Sequence, residues 1–466
     1  MNRNKNISFV SVLESETFGI LASAFILLTI AIYNGSPLTF NADSAMYIEA
    51  SHRHVIEPDR PILYGLFIRY FSLNLSLWFV IVAQSFIVSY TLSCYFRSFF
   101  NNSANTGRVN AKYSNIALIL FTALISLCMG ASFEVGWLMA DIFTPVSILL
   151  MGLVIFSKPL KNAKFFAISI MLVLALPMHN SNFYICLTLL LIIGFLYFLT
   201  NLRPVFKRAG IAPKRIFIAL TLIVASNIAL STIHYLYGGE FKSSRGGIIF
   251  LMGNVVEMGI IDQYLNEQCS VKNYQLCKYK DSIPNNFLWD ARSPMRKTGG
   301  WRGSEKEYKA ILKDILTTPR YLKPFISSSI ILTLKQFAVF ETGEASKPWR
   351  RVNMAVRDYH YNDFRNFVSS DQSLEKLDFS IINFIQNIIF GICILLYLIG
   401  FGSKEIELKI KGLALFLIIA ALINAWVCGT FSGVFPRYQS RVVWLLPLPI
   451  FLHLLKLRSN KIFHKI

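Results

Sequence analysis

The chain has 466 residues, 54% of them hydrophobic and only 15% charged, with a mean hydropathy of +0.49. A soluble domain carries roughly 25% charged residues, so this composition excludes one and indicates a polytopic α-helical membrane protein. The formal net charge is +20, but the basic residues fall in short clusters between apolar runs. That is the positive-inside pattern of a membrane protein; without a continuous basic face it speaks against nucleic acid and leaves membrane lipids, anionic ones included, as partners.

A membrane span needs about 20 predominantly apolar residues. The first candidate, 17–34, follows Arg3 and Lys5 but ends in Tyr33-Asn-Gly-Ser-Pro37 without a small-x-small cleavage site, so it reads as a retained helix. The others are 75–96, 114–130, 136–156, 165–178, 183–200, 215–237, 380–402, 411–428 and 441–457, about ten spans in all. The joints at Arg97/Arg108/Lys112, Lys158/Lys161/Lys164, Arg203–Arg215, Lys404–Lys411 and Lys456–Lys465 all fall on one side if the N-terminus is cytoplasmic, which puts both termini inside. Tyr321–Phe340 carries Lys323, Lys335, Gln336 and three serines; it is expected to lie on the membrane as an amphipathic or re-entrant helix, since a crossing there would move the basic tail outside. The layout is then an N-terminal transmembrane module (1–237) with its first outer loop at 36–74, an extracytoplasmic segment (238–378) and a C-terminal transmembrane module (379–466). No internal repeat, heptad or matched pair of broken spans stands out.

Ionisable groups concentrate on the outer joints. In the first, Asp43 and Tyr47 are four apart and share a helix face, with Ala50 beside them. Asp43 is placed to act as a base or, alternatively, as an N-cap. Pro58-Asp59-Arg60-Pro61 then breaks the chain, and a second, apolar helix is expected over Ile62–Phe71, carrying Tyr64. In the second outer joint Glu134 and Asp141 are seven apart, two helical turns, and face one way; they are either functional carboxylates or, for Asp141, a buried pair or cap, because an unpaired acid in apolar sequence is expensive. His179 on the third joint could shuttle protons or bind phosphate, or simply be solvated. Arg437 and Arg441 on the last joint run against the charge bias. They would suit a carrier phosphate, snorkel at the interface, or pair with Asp43 or Asp141.

In the long segment, Trp289-Asp290, Trp301-Arg302 and Trp349-Arg350-Arg351 mix aromatic and charged groups, as a sugar-binding surface or an interfacial belt would. Cys269 and Cys277 form a disulfide candidate, whereas Cys94, Cys128, Cys186, Cys393 and Cys428 lie in apolar runs as packing residues. There is no Walker A, Gly-x-Gly-x-x-Gly or His-Glu-x-x-His motif, so any driving energy must arrive with an activated substrate.

A first span followed by Asp43-x-x-x-Tyr47 and then Arg60-Pro61-x-x-Tyr64 resembles the GT-C glycosyltransferases, the multispanning enzymes that include protein mannosyltransferases and the lipid A aminoarabinose transferase. The resemblance covers the layout of residues 17–200; Ser44 stands where many relatives carry a second acid. It implies a GT-C-like all-α polytopic fold, with interfacial helices in the first outer loop, in a bacterial inner membrane. It also implies a lipid-linked sugar donor on a polyprenyl phosphate and an envelope glycan or lipid as acceptor. Asp43 would be the catalytic base, with Asp141 or Glu134 positioning the acceptor or a divalent metal. Tyr47, Asp59, Arg60, Tyr64 and His179 would line the substrate site, and Arg437 and Arg441 would hold the carrier phosphate. A transporter or flippase of an amphiphile, and an envelope polysaccharide ligase or acyltransferase, are the alternatives.

Overall fold

The computed structural model describes residues 15–100, 107–156, 162–199, 201–244, 246–344 and 347–463. Lys158, Lys161 and Lys465 of the basic joints, with Arg3 and Lys5, lie outside them. The architecture is that of an all-helical membrane protein, and among the described residues the only strand-like feature is an isolated bridge between Leu38 and Trp137. Among the described residues six helices are long and apolar enough to cross a membrane: Trp78–Phe99, Asn180–Phe198, Pro213–Gly238, Ser380–Gly402, Leu408–Phe431 and Pro436–Leu457. The other four expected spans fall on shorter apolar helices, Glu16–Leu27, Lys112–Cys128, Ala140–Phe156 and Ala163–Met178. The first is cut short where the helix breaks at Leu28 and the Thr29 hydroxyl donates to the Ile26 carbonyl (2.8 Å).

One apolar core runs from Leu27 to Leu452, so the N- and C-terminal spans share it. The last helices pack on Trp78–Phe100 and Phe143–Phe156, and Leu408–Phe431 packs on Asn180–Phe198. The bundle is also polarised. At one end Glu16 pairs with Arg97 (3.1 Å) and Lys164 (3.0 Å), Arg215 donates to the Val154 carbonyl (3.2 Å) and Lys456 meets Glu407. The basic joints thus share one end, and the acidic loops gather at the other.

The expected 238–378 segment divides in two. Residues 249–321 build a second core of their own around Met252, Tyr264, Phe287 and Tyr308, braced by the Cys269–Cys277 disulfide. Residues 340–367 instead join the bundle core through Phe340, Val352, Val356 and Phe367. Between them Pro319–Ala338 lies against Leu408–Phe431 and falls outside the spanning set. Its first turn places Tyr321 in the second core, and near its last turn the Gln336 amide exchanges two 2.9 Å bonds with the Phe435 backbone. Both ends therefore stay at the acidic end of the bundle, in keeping with a helix that does not cross.

Candidate functional site

The first loop folds into two short helices, Asn41–Arg53 and Leu63–Phe71, the second starting one residue later than the proline suggests. They pack face to face because Gly65 brings them close: a Cβ there would lie 3.3 Å from the Tyr47 carbonyl and from Ala50. The Asn41–Arg53 helix is fixed to the second acidic loop. Leu38 and Gly136–Leu138 exchange backbone bonds of 2.9 and 2.8 Å, and Ser44 takes the Phe40 N–H (2.7 Å) while donating to the Leu138 carbonyl (3.0 Å). Ser44 thus spends its hydroxyl on bracing the loop. Gln84 completes the lock by donating to the Val135 and Trp137 carbonyls (2.7 and 3.1 Å).

These braces gather residues from five distant stretches. Asp43 lies in the first helical turn but caps nothing. Its Oδ1 accepts from Arg60 Nη2 (3.1 Å) and its Oδ2 from Arg437 Nη1 (2.7 Å), with 24% of the side chain exposed. Burial alone would raise the Asp43 carboxyl; the Arg437 and Arg60 guanidinium groups overcome it and hold the acid well below the usual carboxylate range. Arg60 is itself shared with Asp59 (2.5 Å) and lies over the Tyr47 ring (5.1 Å). Arg437 stacks on Phe40 (4.3 Å) and Tyr438 (4.9 Å), and its backbone N–H donates to Glu344 (3.1 Å).

One turn further along the same helix, Arg441 is fully buried. It donates to Asp141 Oδ1 (2.7 Å), Asn424 Oδ1 (2.9 Å), the Ser181 hydroxyl (3.1 Å) and the Cys428 sulfur (3.2 Å). Among the described residues no cation bonds Glu134; it accepts from the Ser440 hydroxyl (2.8 Å), and burial together with the nearby Asp141 charge lifts its carboxyl to about 8. His179 caps the Asn180–Phe198 helix, its Nδ1 accepting from the Ser181 N–H (3.2 Å). Burial pushes this imidazole down to about 4, so it is neutral with Nε2 protonated.

Two expectations change, and a possibility left open narrows. Arg441 cannot take a carrier phosphate, because at zero exposure both terminal nitrogens are committed inside the bundle. Tyr64 does not line a substrate site; it is wholly buried, with its hydroxyl donating to Gln84 (2.7 Å) and its ring edge-on to Tyr47 (4.8 Å). The donor set does not fit the divalent metal implied by the resemblance. Both Asp43 oxygens face guanidinium groups, and among the described residues no three His, Cys, Asp or Glu side chains group to hold an ion.

A cleft of about 370 Å³, open mouth included, lies beside Arg437 and is walled by Phe40, Trp137, Glu134, Asp141 and the Glu341-Thr-Gly-Glu344 turn. Glu341 and Glu344 escaped the sequence reading, although two acids straight after the lysine-bearing Tyr321–Phe340 stretch were a usable signal. The neutral amides that hold the site (Gln84, Gln336, Gln372, Asn424) carried none, since they act only through contacts distant in sequence. Gln372, for example, holds Thr39 by bonds of 3.0 and 2.6 Å. A scan against protein-family models and searches of curated proteins and of solved structures found no match to this chain.

Proposed function

We propose that this chain is a membrane glycosyltransferase of the GT-C kind, with about ten spans, its basic end cytoplasmic and its acidic end facing out of a bacterial inner membrane. It moves a sugar from a polyprenyl-phosphate-type donor to an envelope glycan or lipid acceptor. The observation that carries this reading is Asp43, ionised and part-exposed between two guanidinium groups, one of which, Arg437, lines an aromatic and acidic cleft.

Such an arrangement supports charge exchange. A donor phosphate draws Arg437 and Arg60 toward itself, and Asp43 regains proton affinity as it loses them. The acceptor oxygen then attacks the anomeric carbon, its proton passes to Asp43, and the sugar–phosphate bond breaks with the electron pair leaving on the phosphate. Arg437 and Arg60 balance that developing charge. Glu134, protonated at neutral pH, donates a hydrogen bond at the cleft wall.

The test is sugar transfer from a radiolabelled polyprenyl-phosphate donor in nanodiscs. Asp43→Asn, folded by its melting profile, is expected to lose about 10²- to 10⁴-fold of the rate. Full transfer in that variant sinks the reading. Binding of the amphiphile with its movement across the bilayer and no transfer would point to a flippase.

A further inference from the structure

A second hollow, about 330 Å³ with its open side, lies between Asn180–Phe198 and Pro213–Gly238 beside Ser243 and Ser244. Its polar lining is His179, Asn180, Asn227, Ser243 and Ser244, and its apolar lining includes Leu176, Phe183, Tyr184 and Leu230. Among the described residues no carboxylate, lysine or arginine lines it, and His179 is neutral, in contrast to the charged cleft beside Arg437. At the hollow the two helices expose Tyr184 and Ile228, at 50% and 54%, and further along them Leu191, Val224 and Phe195 are also exposed. Apolar side chains exposed on helices of span length are of the kind that faces lipid. The hollow also adjoins the first loop, because Asn180 Nδ2 donates to the Asp59 carbonyl (3.1 Å), next to the arginine that holds Asp43.

We infer that this hollow admits the acceptor, and that the acceptor is a membrane-resident amphiphile with an uncharged, hydroxyl-bearing head. Amides and serine hydroxyls both donate and accept, which matches hydroxyl groups and leaves a charged head without a counter-ion. The chain would lie along Tyr184, Leu191 and Ile228 while the head reaches toward Asp43. The inference rests on the transferase reading for what happens next, but occupancy of the hollow does not.

A diazirine-bearing long-chain alkyl glycoside in nanodiscs tests it. Photolabelling is expected on peptides holding Phe183, Tyr184 and Leu230, competed at least tenfold better by unlabelled alkyl glycoside than by alkyl phosphate or alkyl ammonium of equal length. Ser243→Trp and Asn227→Leu, which fill the hollow from a loop and from a helix, should each cut labelling at least tenfold, whereas Asp43→Asn should leave it unchanged. Even labelling of all outward helices, or better competition by a charged head, overturns the inference. Specific labelling without any sugar transfer by the wild-type protein would instead remove the transferase reading and leave the hollow standing.

Discussion

Arg437 and Arg441 stand one turn apart on Pro436–Val443, and each meets an aspartate at 2.7 Å. They differ in what surrounds the bond. Arg437 is 22% exposed, stacks on two rings and borders a cleft, whereas Arg441 has no exposure and ties three helices and the Asp141 turn together. An ion pair at a rim can open to a charged ligand. A sealed one cannot, because opening it strands two charges in a medium that does not solvate them. The same chemistry four residues apart thus separates a candidate working group from a structural one, with depth as the deciding variable.

The largest effect should come from breaking the sealed pair. Arg441→Ala leaves Asp141 buried and unpaired, at a cost of about 3–5 kcal/mol in stability. The expected result is a collapse of folded yield in detergent, read by size exclusion and thermal unfolding. Replacing both partners, Asp141→Leu with Arg441→Met, removes the charges together and should recover most of that loss. Failure of the double variant to recover would mean that Arg441 acts through more than charge.

A smaller effect, and of a different kind, is expected at the rim. Arg437→Lys keeps the charge but loses the planar stacking over Phe40 and Tyr438, a cation–π contribution of about 0.5–2 kcal/mol. Transfer should fall about 2- to 30-fold while the unfolding temperature hardly moves. If Arg437→Lys instead unfolds the protein as Arg441→Ala does, the distinction by depth is wrong.

The sequence showed both arginines and the two aspartates they meet, because unpaired charge beside apolar sequence is conspicuous. It also placed Asp43, Glu134, Asp141 and His179 at one end of the bundle, since charge-biased joints fix which loops share a side. It could not rank them. Whether Arg441 faces a ligand or Asp141 depends on Asn424, Cys428 and Ser181, neutral residues whose role exists only once three helices meet. Tyr64 misled for the same reason, its hydroxyl being claimed by Gln84 on the next helix. The Cys269–Cys277 pairing was legible because the two lie eight residues apart in one polar segment, where no packing partner is needed to bring them together.

Glu134 sharpens the comparison at its weakest point, a carboxylate as buried as Asp141 but without an arginine. Its carboxyl titrates near 8 in the folded chain, against about 4.3 once unfolded. Between those values the folded protein keeps a proton that the unfolded chain has released, so stability falls as pH rises through that window and levels off above it. Glu134→Gln mimics the protonated form and removes the slope. Thermal unfolding at pH 5, 7 and 9 should show the wild type losing stability toward pH 9 and Glu134→Gln holding level relative to it. Transfer at pH 7 should be nearly unchanged in the variant, because the wild-type group is already protonated there. A variant that is inactive at pH 7 would require the ionised form, and would move the proton-accepting role from Asp43 to Glu134.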